Sequence, residues 1–577
     1  MVDQKGNQEA EKREEVTEQK CLVEMFFAQP CGRQVHPAPG VDNEPVCLMH
    51  SKDPDKSIAA FQGEFERILS DAGEGDADFT SFVFPNADYH SREFRAVCRF
   101  SAATFTQDAD FSGATFTQDA YFGGAPLTHD AFFGFPPFTL DAHFRGAKFT
   151  QDANFNFATF TQDAYFEEVS FTRYAHFDRA KFMQDAHFNG ATFTQDAYFN
   201  GAKFTQDAYF RVTTFTQDAY FYSATFTQDA YFNRATFTQV AQFDGAKFTQ
   251  DAHFEEARFA GEADFTVTKF TNNTFFLKAI FERRVTFYRT EFPKEDKLQF
   301  YASFSLARFE KPEDVLFFGK YLGRVFFLNC DVSRFQLSSV QWRQRRGNKK
   351  RMVFEEFIDT NEKDTLPMRL NGDNPDERNY DLIAELYQQL KKNYDNKGDY
   401  WTAGDFHYGE MEMKRKSSSR HNSVLRWLHR NLGLVAWYKY ASDYGESYVK
   451  PFLSLLFVLG VFTFIYPAFS LHRVSSEKGS PSRPVGQTRS LTPDMDKVSY
   501  ANLFQFLTSY QNRRLRGTGE FFAQSAMTTV SVASLGRVSA DYEPQSLSGR
   551  FAALIELLLT STLIALFLLA VQRQVRR

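Results

Sequence analysis

The chain has 577 residues, 69 of them phenylalanine, and a formal net charge of −6. Five cysteines in this length exclude a disulfide scaffold, and a charged share of 24% excludes a wholly disordered chain. The mild acidity carries no polyanion-binding signature, so nucleic acid is not an expected partner.

Residues 1–19 are charged and lack an apolar core, which reads as a disordered tail and not a signal peptide. Residues 20–70 read as a small module holding Cys21, Cys31 and Cys47, followed by His50. The C-x-x-H spacing of Cys47 and His50 lets two ligands reach one tetrahedral ion from a tight turn. Cys21 and Cys31 complete a Cys3His set for structural zinc, with His36 as a substitute ligand. The nine residues between Cys21 and Cys31 exceed the usual knuckle spacing, so unliganded reduced thiols are the alternative. The segment C-L-M-H-S-K-D-P-D-K, Cys47 to Lys56, resembles small zinc-ribbon-like modules.

From Phe100 to Phe292 the phenylalanines recur at alternating gaps of five and six, filling 35 of 36 lattice positions, with Leu127 the exception. Alanine stands two residues before the lattice position in 28 of the 36 cases, so the unit is eleven residues, as in G-A-K-F-T-Q-D-A-Y-F-R from Gly201 to Arg211. A helical coiled coil also repeats at eleven, but the T-Q-D segments are poor helix formers. The A-x-F triplet puts a small and a large side chain on one face of an extended segment. Four such sides make a square coil of about 22 residues, and the lattice predicts about nine coils stacked at about 4.8 Å.

This spacing resembles the pentapeptide-repeat family in an eleven-residue variant. The resemblance implies a mainly β fold, a right-handed quadrilateral β-helix, here spanning residues 77–345 with a C-terminal cap. Pro136, Val169, Thr213 and Thr274 depart from alanine but are compact or β-compatible. Cys98 takes an inward small-residue position, and Cys330 lies in the cap. Columns such as Asp163, Asp185, Asp207 and Asp229 are expected to accept hydrogen bonds from corner amides, with Lys148, Lys181, Lys203 and Lys247 balancing charge nearby. No Ser, His or Cys set recurs, so the chain is not read as an enzyme.

Residues 346–377 read as a polar linker and 378–416 as a helical hairpin turning at Asn396 to Asp399. Residues 424–450 mix Trp427, Trp437, Tyr438 and Tyr440 with Arg426, Arg430 and Lys439, which suits a helix at a membrane surface. Residues 451–577 carry two apolar spans, Phe452 to Leu471 and Phe551 to Val571, each long enough to cross a bilayer. Arg573, Arg576 and Arg577 favour a cytoplasmic carboxyl terminus in the cytoplasmic (inner) membrane, and two spans put the amino terminus on the same side.

Between the spans, Phe521 to Val530 resembles the pore helix and filter entry of two-span potassium channels. Pro544, Gly549 and Arg550, then Glu556, resemble that family's post-filter segment. The family's filter reads T-V-G-Y-G, whose glycines allow successive carbonyls to face the ion. Here Thr528 and Thr529 lead into Val530, Ser531, Val532 and Ala533, without either glycine. A gapped alignment through Leu535-Gly536-Arg537, or one using Asp541, does not restore the pattern. The resemblance implies a homo-oligomer, tetrameric if a pore forms, with a degenerate cation pathway regulated or localised by the cytosolic solenoid. The alternatives are a membrane-tethered interaction scaffold without transport and, third, a DNA-mimicking solenoid.

Overall fold

The structure, a computed structural model, describes residues 19–36, 41–42, 44–135, 137–293, 300–319, 321–361, 380–417, 423–469, 471–473, 497–498, 514–534, 542–544 and 546–576. Pro136, Asp541, residues 535–537, the tail 1–18 and 362–377 of the expected linker lie outside them. The chain forms two units. The first is Met1–Arg378 with Glu385–Asn393, and the second is Asn379–Ala384 with Tyr394–Arg577.

The first unit is built on a parallel β-solenoid. Its strands are mostly two residues long, and each pairs with the strand one full coil away, giving four sheets of 12, 11, 12 and 9 strands. The register is set by the repeat: Ala164 lies opposite Ala186 and Tyr165 opposite His187 on one side, while Phe171 lies opposite Phe193 on another. A coil is therefore 22 residues, two sequence repeats. The solenoid outruns the phenylalanine lattice at both ends, from Asp76 to Ser338. The extra turns keep the inward pattern with Ala77, Phe79, Phe84, Val325 and Phe327, all buried.

Stacking of like on like makes the core. Phe166, Phe188, Phe210 and Phe232 follow one another at ring separations of 4.8, 4.9 and 4.9 Å. Each also meets a ring of the opposite column edge-on, as Phe166 meets Phe177 at 5.4 Å and 88°. Offset or edge-to-face geometry favours such pairs by roughly 0.5–1.5 kcal/mol beyond the area they bury. Val169, Thr213 and Thr274 all point inward and are fully buried, as is Cys98. Thr213 keeps its hydroxyl satisfied by donating to the carbonyl of Phe188 at 2.8 Å, and Thr268 and Thr290 do the same to Phe243 and Phe265.

Two corner columns need a left-handed backbone. Gly113, Gly201 and Gly245 occupy one of them, where the missing Cβ removes the steric penalty. Phe135 and Phe157 stand in that same column at φ 68° and 58°, and Val212 stands in the other at φ 59°. All three are exposed.

Both solenoid ends are closed. Helix α1, Ile58–Ala72, is capped by Ser57, whose hydroxyl accepts from the Ala60 amide. It lays Phe65 on Phe79 and Phe61 on Phe84, at 4.6 and 5.2 Å. At the other end, part of the expected linker instead supplies Arg351–Met352, which pairs antiparallel with Arg343–Gln344 of the expected cap, and helix α2, Phe354–Asn361. Its polar residues are in the cap because they serve it. Glu355 accepts from the amide of Phe327 at 2.6 Å, in place of a following coil. Glu356 joins Arg345 and Tyr387, and Asn393 donates to the carbonyls of Val332 and Phe335 at 2.9 and 2.8 Å. Tyr387 and Asn393 come from helix α3, Tyr380–Asn396.

The second unit is helical. Helix α4, Tyr400–Lys416, follows a turn in which Gly398 has φ 75° and Asp399 caps the Thr402 amide at 3.0 Å. Helices α5, Ser423–Leu432, and α6, Leu434–Ser442, break at Gly433. They expose Trp427, Leu432, Leu434, Trp437 and Tyr440. Helix α7, Val449–Ile465, runs into a 3-10 turn, Tyr466–Phe469. Helix α8, Arg514–Ala533, packs against α7 and against α9, Leu547–Arg576.

Candidate functional site

Two regions gather the candidate residues. In the first, a β-hairpin bridged between Lys20 and Gln34 and between Glu24 and Pro30 carries Cys21 and Cys31 on its two strands. The bridge from Val35 to Cys47 brings in the second ligand pair. The chain then turns tightly, with the His50 and Ser51 amides both donating to the Cys47 carbonyl at 3.0 and 2.9 Å.

The four ligand atoms of Cys21, Cys31, Cys47 and His50 lie within 4.8 Å of one another. Cys31 Sγ is 3.7 Å from Cys47 Sγ, and His50 Nδ1 is 3.5 Å from Cys21 Sγ and 3.2 Å from Cys47 Sγ. A zinc tetrahedron with Zn–S of about 2.3 Å and Zn–N of about 2.0 Å has edges of roughly 3.5–3.8 Å. The donor set and spacing fit that ion. All five cysteines are free thiols. His36 is not part of the cluster; its Nε2 lies 3.3 Å from Asp53.

The surroundings are those of a metal ligand set. His50 Nε2 lies 3.1 Å from the Thr80 carbonyl, which leaves Nδ1 as the lone-pair donor. The Cys47 thiol pulls the Cys31 thiol down to about 3, with help from His50 and from Arg33, whose Nη1 donates to Sγ at 3.2 Å. The same contact with Cys31, and then burial, push Cys47 upward. Beneath the cluster, Lys56 is buried and donates to the carbonyls of Leu48, Ser51 and Val83. Nothing in the cysteine spacing points to Lys56. With four protein ligands the site has no open coordination position, so a bound zinc supplies folding energy and not Lewis-acid chemistry.

The second region is the apolar hairpin. Two segments are long and apolar enough to cross a membrane, Val449–Phe469 and Leu547–Arg573. Only 17% and 22% of their apolar windows are buried, unlike a core helix of a soluble protein. Between them, Thr528, Thr529, Val530, Ser531, Val532 and Ala533 are all helical, the last turns of α8. The Val530 carbonyl accepts from the Ser534 amide at 2.9 Å. Carbonyls bound within a helix are not turned toward an ion. Thr528 and Thr529 are buried, and Thr528 donates to the Gln524 carbonyl at 3.0 Å.

The Pro544-x4-Gly549 spacing has a packing reason. A Cβ at Gly549 would lie 2.8 Å from Cβ of Pro544 and 3.1 Å from Cβ of Phe469. Arg550 is exposed, whereas Glu556 is fully buried against Tyr466.

A buried polar knot precedes the first span. Tyr444 donates to Glu412 at 2.6 Å, and Lys439 and Arg415 pair with the same carboxylate at 3.0 and 2.9 Å. Burial alone raises Glu412, but these three groups together bring it down to about 2. Arg573 of α9 donates to the Tyr444 carbonyl at 2.9 Å. No sequence spacing marks Glu412, Arg415, Lys439 and Tyr444 as partners; the fold brings them together.

On the solenoid the aspartate columns do what turn chemistry predicts. The Asp185, Asp207 and Asp229 amides donate to the carboxylate one coil earlier at 3.1, 3.2 and 3.1 Å. Tyr165, Tyr209 and Tyr231 add their hydroxyls to Asp163, Asp207 and Asp229. Where histidine replaces tyrosine in that position, burial leaves Asp141, Asp185 and Asp251 raised. The lysines stand elsewhere, Lys148 on one sheet and Lys181, Lys203 and Lys247 on another.

Residues 144–192, 177–225, 188–236, 221–269 and 243–291 match the family described as pentapeptide repeats (9 copies). No curated protein and no solved structure matches the chain.

Proposed function

We propose that this chain, whose β-solenoid matches pentapeptide repeats over residues 144–291, is a membrane-tethered protein-interaction scaffold without transport. The two apolar helices form the anchor, α5 and α6 lie at the bilayer surface, and a zinc ion held by Cys21, Cys31, Cys47 and His50 closes the amino-terminal end of the solenoid. Both termini lie on the cytoplasmic side. The observation that carries this reading is the helical state of Thr528–Ala533. A carbonyl-lined pathway needs those groups free of helix bonds.

One feature favours a second reading, a cation pore made by about four subunits around one axis. Helix α8 lies against both candidate spans, as a pore helix would. Reconstitution of the full chain into liposomes separates the two. The scaffold reading expects the protein in the membrane fraction and no cation flux at any voltage. Flux that disappears on truncating 514–534 overturns it.

A further inference from the structure

Glu556 is two turns and more into an apolar 30-residue helix, yet its side chain is fully buried. Its Oε2 accepts a hydrogen bond from the hydroxyl of Tyr466, across the interface between α9 and the end of α7. Its Oε1 has no partner among the described residues.

The setting is apolar with a thin polar band. Phe462 and Tyr466 pack with Phe522, Val532, Ala552 and Leu559. Ser525 donates to the Thr463 carbonyl, Thr463 meets the Thr529 hydroxyl at 3.5 Å, and Thr560 donates to the Glu556 carbonyl at 2.8 Å. Tyr466, in the 3-10 turn after α7, is the titratable group bonded to the carboxyl; on α8, Ser525 bonds the Thr463 carbonyl and Thr529 the Ser525 carbonyl, and Arg550 on α9 itself is exposed. A carboxyl in such a place is expensive as a bare charge and is retained where it has a task.

We propose that Glu556 is a proton-binding site within the hairpin. Oε1 carries the proton, Oε2 keeps the Tyr466 hydrogen bond, and release of the proton to water leaves a carboxylate held by the same hydroxyl. The carboxyl therefore exchanges one proton without breaking the link between α7 and α9. Burial of the carboxyl among the helices carries this inference, and the membrane reading sets only which carbodiimide reaches it.

A carbodiimide reports the acid form directly. The carboxylic O–H adds across a C=N bond, carbon bonding to oxygen and the proton moving to nitrogen. An O-to-N acyl shift then gives a stable N-acylurea with no leaving group. The full chain in phosphatidylcholine vesicles is treated with dicyclohexylcarbodiimide and mapped by mass spectrometry, beside infrared spectra over a pH series. The expected results are an adduct at Glu556, weaker as pH rises, and a protonated-carboxyl stretch that vanishes in Glu556→Gln and moves in Tyr466→Phe. An unlabelled Glu556 in a sample whose other carboxyls react overturns the proposal, as does a spectrum identical in wild type and Glu556→Gln. A lipid-borne photoprobe on the same vesicles tests the anchor separately: unlabelled α7 and α9 reject the membrane reading while a Glu556 adduct still supports the proton site.

Discussion

His50 and Thr80 are joined by a hydrogen bond of 3.1 Å, from the ring nitrogen that faces away from the thiols to a carbonyl in the first turn of the solenoid. The candidate metal ligand is thus also a backbone partner of the β-helix. Lys56, which reaches the Val83 carbonyl, makes a second link between the module and that turn. Removal of a metal held by this cluster is therefore expected to reach beyond the module itself.

The full chain purified without chelator should hold stoichiometric zinc by atomic emission, and Cys47→Ser should hold none. Because metal binding to such sites is folding free energy, hydrogen exchange should quicken at residues 19–72 and in the first coil, leaving coils near Phe210 protected. Equal zinc content in the two proteins would reject the site.

Phe204 is fully buried, 4.9 Å from Phe182 and 4.8 Å from Phe226. Phe204→Ala removes a ring from a column that cannot collapse along its axis, because the strand pairing fixes the coil spacing. A loss of about 3–5 kcal/mol is expected, measured by urea unfolding.

Glu355 carries a pH dependence. Burial pushes it up to about 7, against the opposing amide of Phe327. Its unfolded value is about 4.3, so between these limits the folded chain holds more protons than the unfolded one. Stability contributed by the protonated cap is present below that window and is lost as pH rises through it to 7. The cap should unfold more readily at pH 8 than at pH 5, by an amount on the order of a few kcal/mol. Glu355→Gln should flatten the profile; an unchanged slope in thermal melts would contradict the assignment.

Val212 is an exposed β-branched residue at φ 59°. A left-handed backbone costs such a residue about 1–2 kcal/mol, and glycine gives back part of that gain as chain entropy. Val212→Gly should raise stability by up to ~1 kcal/mol in the same urea assay.

The solenoid was legible because its code is local and repeated. One A-x-F unit specifies an inward pair, and the period of eleven specifies the stack. Its ends were legible in outline, since the turn through Ala77 and Phe79 keeps the small-x-large spacing into Phe84, while the turn through Val325 and Phe327 keeps the inward pair outside the regular lattice. Helix α2 hid in a polar stretch because Glu355 and Glu356 satisfy cap amides and Arg345, a task no periodicity marks. The four clustered candidate ligands were readable from residue type, whereas Arg33, Lys56 and Thr80 became visible only through folding. The two apolar helices were readable too, but not the helical state of Thr528–Ala533, in a helix that packs against α7.

The pairing of Ala164 with Ala186 implies a quantised length. Adding or removing 22 residues returns every later side chain to its own face and shifts it along the axis by about 4.8 Å. Adding eleven instead carries each later residue to the opposite face, so the Tyr165–His187 column would continue with the residues of the Tyr198–Tyr220 column. Duplication of a single repeat exchanges opposite faces for every later residue, while duplication of a pair extends each face unchanged. The solenoid can therefore change its reach in steps of one coil while keeping each stripe of its surface in phase.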